Sequence, residues 1–461
     1  MTNVVIIGGG PGGYEAALVA AQLGAQVTLI ERDGLGGAAV LTDVVPSKAL
    51  VAVAEAVIDT RGSSVLGVHT SDVTVDLAEV NTRLKKWAAA QSADIHDRLI
   101  SEGVKVILGQ AKLKSASEVS VVMQDQTSVE LAADVILLAT GARPRELATA
   151  VIDGDRIVNW KQLYDFSELP KELIVVGSGV TGAEFAGAYQ ALGSQVTLVS
   201  SRDQVLPGED SDAAKVIQDV FAKRGMQVLA QVRANQVSRT ESGVAVELSS
   251  GEVIYGTHCL MAVGSLPNTE DLGLAECGIT TNNAGFIEVD KVSRTNVRGV
   301  YAAGDCTGVL MLASVAAMQG RIAMWHALGD SVHALNLETV SSNVFTDPEI
   351  ATVGVSQSAI DLGIEIASVI MLPLATNARA KMQGISEGFI KLFCKPDTGV
   401  VVGGVVVAPK ASELIFPIAL AVTHRLTVDQ ISQTITVYPS LSGSIAEAAR
   451  QLHHAEVPIT T

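Results

Sequence analysis

The sequence predicts an α/β chain, with two doubly wound nucleotide-binding units followed by a C-terminal α+β domain. Three observations carry that expectation. A strand, glycine turn, helix and strand open the chain, a second copy of this unit begins near Leu173, and from about Asn343 the pattern changes to alternating strands followed by helices. At 461 residues the chain is too long for one ordinary core, and length alone suggests about three domains.

In the first unit Val4–Ile7 is a continuous apolar run, as expected of a parallel strand buried on both faces. Gly8–Gly13 turns the chain, Tyr14–Leu23 has helical composition, and Val27–Ile30 forms the next strand, closed by Glu31. A charged stretch over about Val80–Glu102 reads as helix, about Val104–Leu131 as β-rich, and Val135–Gly141 as a strand returning to the sheet. The second unit repeats the plan with Leu173–Val176, Gly177–Gly182, Ala183–Leu192 and Val196–Val199, and Gly299–Asp305 repeats the returning strand. Phe389–Cys394 and Val400–Val407 are strands of the third domain. The expected division is 1–148, 149–275, 276–340 rejoining the first domain, and 341–461.

The bulk properties narrow the function classes. A formal charge of −17 with no local basic stripe argues against nucleic acid. No run approaches the roughly 18 uncharged apolar residues that would span a bilayer. Val4–Ala21 lacks the basic leader of a signal peptide and contains Glu15. A cytoplasmic location without membrane insertion is therefore expected. Cys259, Cys277, Cys306 and Cys394 are scattered, so isolated reduced thiols are expected, and no His, Cys, Asp or Glu spacing suggests a metal.

The glycines carry chemistry. In Gly8-Gly-Gly10-Pro11-Gly12-Gly13 the first permits a tight turn, the third lets backbone approach a pyrophosphate, and the sixth lets helix pack on strand. The following helix N-terminus then faces the phosphates. Glu31, 18 residues beyond Gly13, stands at a strand end where a carboxylate binds ribose hydroxyls. Gly177-Ser-Gly179-Val180-Thr181-Gly182 is framed in the same way, so two such Rossmann-like units imply two nucleotides. There the equivalent of Glu31 is Ser200, followed by Ser201 and Arg202. An acid repels a ribose 2′-phosphate, whereas hydroxyls and a guanidinium accept one, so NADPH is expected, alone or alongside NADH. On this reading Ser200→Glu shifts preference towards NADH.

With these residues assembled, the chain resembles the pyridine-nucleotide flavoprotein disulfide reductases, the family of lipoamide dehydrogenase and glutathione reductase. The resemblance runs through Gly34-Leu-Gly-Gly37, Pro46-Ser-Lys48, Ala139-Thr140-Gly141-Ala142, Ala262-Val-Gly264 with Pro267-Asn268, Gly304-Asp305 and Phe345-Thr-Asp-Pro-Glu-Ile350. It implies FAD held by the first turn with Glu31, Gly37, Ala38, Thr140, Gly141, Asp305 on the ribityl chain, and backbone at Ala111 and Ala313. It implies NAD(P)H held by the second turn with Ser200, Ser201, Arg202, Val232 and Gly264. Lys48 is expected beside the flavin, paired with Glu184 near the nicotinamide. A homodimer is also implied, in which the C-terminal domain of one subunit completes the other's site.

Two departures redirect the function. Ala39 and Val44 occupy the positions of the family's redox-active cysteine pair, and neither forms a thiolate or mixed disulfide. The proton-moving His-Pro-Thr-x-x-Glu segment is Tyr438-Pro-Ser-Leu-Ser-Gly443 here. Tyrosine, with a reference pKa of about 10, is poorly suited to that task. The chain therefore closely resembles a disulfide-less, lipoamide-dehydrogenase-like branch whose members reduce quinones with NAD(P)H. That branch shares Gly-Gly-Ala-Ala-Val-Leu, the Tyr438–Gly443 segment and Asn377–Met382, whose Arg379 and Lys381 read best as surface charges. The expected activity is hydride transfer from NAD(P)H to FAD and then to a quinone or similar small acceptor, with Tyr438 of a second subunit near the acceptor. A transhydrogenase or oxidase of the same fold, and a nucleotide-binding redox sensor, are the alternatives. His453 and His454 read as a solvated helix end rather than a replacement base.

Overall fold

The apolar runs pair as their period predicts. In the computed structural model, which describes residues 1–453, Asn3–Ile7 lies between Gln26–Glu31 and Val135–Leu138, parallel to both. Val300–Ala302 adds to the far side of Val135–Leu138, so the sheet that begins the chain is completed almost 300 residues later. On its other edge Lys105–Ser115 pairs in parallel with Gln26–Glu31, then continues antiparallel to Glu118–Met123 and Ser128–Ala132. The result is a seven-stranded sheet.

A second, five-stranded parallel sheet is built around Glu172–Val176, with Gln195–Val199 and His258–Met261 on either side. The short strands Ala142–Pro144 and Ser265–Pro267 pair antiparallel where the chain passes between the two sheets. The C-terminal sheet has five antiparallel strands, with Val401–Ala408 between Glu349–Gly354 and Phe389–Cys394. His454 lies outside the described residues.

The segment following Gly37 is helical, a short Gly37–Leu41 helix and then Val44–Gly62, which the sequence reading did not assign. This run, Gly37–Leu66, is long and apolar enough to cross a bilayer by length and composition alone, although it is not an uncharged apolar run. The expectation required an uncharged run, whereas here isolated charges such as Lys48 and Glu55 interrupt an otherwise apolar helix. Leu50, Val51, Ala54 and Val57 are buried in a core shared with Phe185 and Tyr189 of the second unit and Phe389, Phe393 and Val405 of the C-terminal sheet. One core thus spans all three parts of the chain.

A buried charge cluster fixes the C-terminal sheet against the second unit. Lys391 Nζ donates to both carboxylate oxygens of Asp210 at 2.9 and 2.8 Å and to Asp212 at 2.6 Å. The side chains of Lys391 and Asp210 are only 2% and 3% exposed. Asp210 also caps the Ser211–Lys223 helix by accepting from the Asp212 and Ala213 N–H groups. Lys391→Met strands a buried carboxylate, so it is expected to cost about 3–5 kcal/mol. Urea denaturation checks this, and an unchanged midpoint would mean that water solvates the cluster freely.

Candidate active site

The two glycine turns fold almost identically. Gly8 and Gly177 sit at φ +105° and +111°, and a Cβ on either would meet a carbonyl oxygen, of Ala139 or Ala262, at 2.2 Å. A Cβ on Gly13 or Gly182 would lie 1.8 Å from the carbonyl oxygen of Gly8 or Gly177, so helix and strand meet there only because side chains are missing. Gly10 and Gly179 cap the helices Pro11–Gln22 and Val180–Leu192 with ψ −176° and −174°. A Cβ at these two positions meets nothing within 4 Å, leaving open space before each helix N-terminus.

In front of the first turn lies a cavity of about 760 Å³. Every expected FAD position lines it except Gly13, which is spent on packing, and Lys48. A nucleotide fits this lining. Glu31 is buried with one carboxylate oxygen accepting from the Gly9 N–H at 2.6 Å and the other from the Arg32 and Asp33 N–H groups at 2.8 Å. Thr140 and Asn268 lock the Ala139–Gly141 turn by reciprocal bonds at 2.7 and 2.9 Å. Asn268, Arg143 and Trp160 line the cavity as well and were not nominated from sequence, although Asn268 stood within a recognised motif.

Lys48 and Glu184 meet, although they are 136 residues apart. Lys48 Nζ donates to Glu184 Oε2 at 2.6 Å, and Glu184 Oε1 accepts from the Phe345 N–H at 2.8 Å. Glu184 is 4% exposed. The Lys48 ammonium also stands 4.8 Å from the centre of the Phe345 ring.

Ala39 and Val44 both line the cavity, so its wall is aliphatic at the two positions that the resemblance assigns to a cysteine pair. Cys306 follows Asp305, but its thiol turns into the core towards the Ala303 carbonyl, and burial pushes it up to about 11. Cys259 is pushed up to about 12 by burial. Neither supplies a thiolate at neutral pH. Asp43, between the two replaced positions, also lines the cavity. Burial raises its carboxyl above the ordinary range, with Lys48 opposing. The signal in the sequence was one acid in the apolar run Ala38–Val45.

The remaining nominated residues are dispersed. At the second turn Gly179, Val180, Ser201, Arg202 and Gly264 are exposed, Thr181 and Val232 are half-buried, and Ser200 is fully buried. Ser200 therefore presents no free hydroxyl, since its Oγ is bonded to Ser178 Oγ at 2.8 Å and accepts from the Arg202 N–H at 3.1 Å. Tyr438 is 85% exposed beside the equally exposed Ile435 and Val437, away from the cavity of its own chain. Arg379 and Lys381 are exposed on a short helix capped by Asn377. His453 pairs with Asp429 at the end of the Gly443–Leu452 helix.

A family model described as pyridine nucleotide-disulphide oxidoreductase matches residues 2–320, and the model of that family's dimerisation domain matches residues 340–449. The chain is 54% identical over 463 residues to the NAD(P)H dehydrogenase (quinone) of Mycobacterium tuberculosis strain H37Rv, covering 98% of this chain and 94% of that one. It is 33% identical over 452 residues to the dihydrolipoyl dehydrogenase of Geobacillus stearothermophilus, covering 97% and 95%. The crystal structure of LpdA from Mycobacterium tuberculosis matches with a TM-score of 0.95 at 54% identity, over 98% of this chain and 100% of that chain.

Asp305 supplies a pH test. Burial, reinforced by the negative charge of Asp43, pushes its carboxyl up to about 6, against about 3.9 when unfolded. The folded state binds this proton more tightly, so stability is lost as pH rises from about 4 to about 6. Asp305→Asn removes the titration. In flavin-free protein the variant is expected to gain on the wild type by roughly 2–3 kcal/mol between pH 4 and pH 7. Thermal melts across that range check it, and a constant difference would contradict the assignment.

Proposed function

The chain belongs to the pyridine nucleotide-disulphide oxidoreductase family, and on that premise we propose that it is an FAD-dependent NAD(P)H:quinone oxidoreductase, working as a cytoplasmic homodimer. The observation that carries this reading is the aliphatic cavity wall at Ala39 and Val44, combined with an intact Lys48–Glu184 pair. The site keeps what accepts hydride and lacks what hands electrons to a disulfide.

FAD, when bound, supplies the centre that takes hydride from the nicotinamide and returns electrons to a second substrate. Around it the chain binds and orients. The Gly8–Gly13 turn and the start of the Pro11–Gln22 helix receive the pyrophosphate, and Glu31 the ribose. Glu184 holds the Lys48 ammonium in one orientation, which a solvated lysine would not keep. Ala39 and Val44 offer a flat, weakly polar acceptor an apolar surface, which suits a quinone ring. The name of the Mycobacterium tuberculosis relative supports the same acceptor class.

The exposed Ile435, Val437 and Tyr438 lie within the stretch matched by the dimerisation domain, which supports a contact with a second copy. From there Tyr438 donates a hydrogen bond to the acceptor oxygen.

NADPH oxidation by the yellow protein is expected to proceed with menadione and not with lipoamide. Turnover with lipoamide would overturn the reading, and flavin bleaching without turnover on either would name a different acceptor. Lys48→Met is expected to slow flavin bleaching by NADPH about tenfold or more, with FAD content unchanged. Stopped-flow absorbance checks this, and an unchanged rate would remove Lys48 from the hydride step.

A further inference from the structure

The chain contains its own control for nucleotide specificity, because its two turns can be compared position by position. Gly8 N donates to the Ile30 carbonyl at 2.8 Å, and Gly177 N to that of Val199 at 3.0 Å. The strand registers agree, with Ile7 opposite Ile30 and Val176 opposite Val199. Gly9 therefore corresponds to Ser178, and Glu31 to Ser200.

These two positions change together. At the first turn the Gly9 N–H donates to Glu31 Oε2 at 2.6 Å. A Cβ on Gly9 would lie 3.0 Å from that oxygen, 3.4 Å from the Glu31 Cβ and 2.7 Å from Leu35 Cδ2. A side chain at residue 9 would therefore crowd the ribose-binding carboxylate, which would have to give way by a few tenths of an ångström. At the second turn residue 178 has one. Ser178 is 5% exposed and bonds Ser200 Oγ at 2.8 Å, and Ser200 is wholly buried. Among the described residues no group accepts from the Ser178 N–H, the donor equivalent to the one that holds Glu31. Ser201 and Arg202 remain exposed beyond the pair, and the Arg202 guanidinium makes no ion pair among the described residues.

We propose that Ser178 and Ser200 form one specificity element that excludes a ribose-binding carboxylate from the second site and leaves its rim to Ser201, Arg202 and the 2′-phosphate of NADPH. Ser178 is the residue that makes the exclusion hard to reverse. The single change suggested by the sequence, Ser200→Glu, places a carboxylate where the Ser178 side chain already stands. It is therefore not sufficient to recruit NADH. The proposal rests on the second site being the NAD(P)H site and does not depend on the acceptor.

The test is equilibrium titration of the oxidised holoenzyme with NADP⁺ and with NAD⁺, with no acceptor present, so that failure of the quinone reading leaves it untouched. The wild type is expected to bind NADP⁺ more tightly. Ser200→Glu is expected to weaken NADP⁺ about tenfold or more through charge repulsion without tightening NAD⁺. Ser178→Gly combined with Ser200→Glu is expected to bind NAD⁺ about tenfold more tightly than Ser200→Glu alone. Equal NAD⁺ affinity in these two variants would overturn the proposal, as would a wild type that does not distinguish the nucleotides. Thermal melts of the same proteins give a second readout. A melting temperature lowered by Ser200→Glu and restored by adding Ser178→Gly supports the clash, and an equal loss in both variants overturns it.

Discussion

One carboxylate joins the three parts of this chain. Glu184 stands on the Val180–Leu192 helix of the second unit, and its two oxygens hold Lys48 from the first unit and the Phe345 N–H at the start of the C-terminal domain. Burying such a pair adds little net stability over an apolar replacement, because each charge must be taken from water. What it supplies is position. Glu184 cannot move without exposing an unpaired ammonium or an unpaired N–H, so all three parts keep their spacing around the cavity. The shared apolar core formed by Leu50, Phe185, Phe389 and their neighbours fills the space behind it.

The chemistry that surrounds this node has been cut back rather than rebuilt. Ala39 and Val44 present only aliphatic side chains to the cavity. The four thiols do not stand in for the absent cysteine pair: none lines the cavity, burial keeps Cys259 and Cys306 protonated, and it also shifts Cys277 and Cys394 upward. The family's architecture is thus separable from its disulfide chemistry.

The duplicated turns are built almost alike. Their helix caps differ by 2° in ψ, and the same packing contacts demand glycine at corresponding places. Among the differences between them, residue 178 has a side chain where residue 9 has none, and residue 31 has a carboxylate where residue 200 has a hydroxyl. A single glycine motif therefore says that a dinucleotide binds, and much less about which one.

By itself the sequence determined the fold class, both glycine turns, most of the strands and the loss of the thiol machinery. Each of these is local. Apolar periodicity marks a strand, missing side chains mark a turn, and an absent cysteine is absent in any conformation. It under-read the Val44–Gly62 helix, whose isolated charges concealed its apolar length. The tertiary structure decided which distant side chains meet, namely Lys48 with Glu184, Lys391 with Asp210, and Ser178 with Ser200. It also placed Asp43 in the cavity and left Ser200 without a free hydroxyl. The reason is geometric. Such contacts depend on strand order and helix packing across 22 to 181 residues of chain, and no pattern in neighbouring residues encodes them.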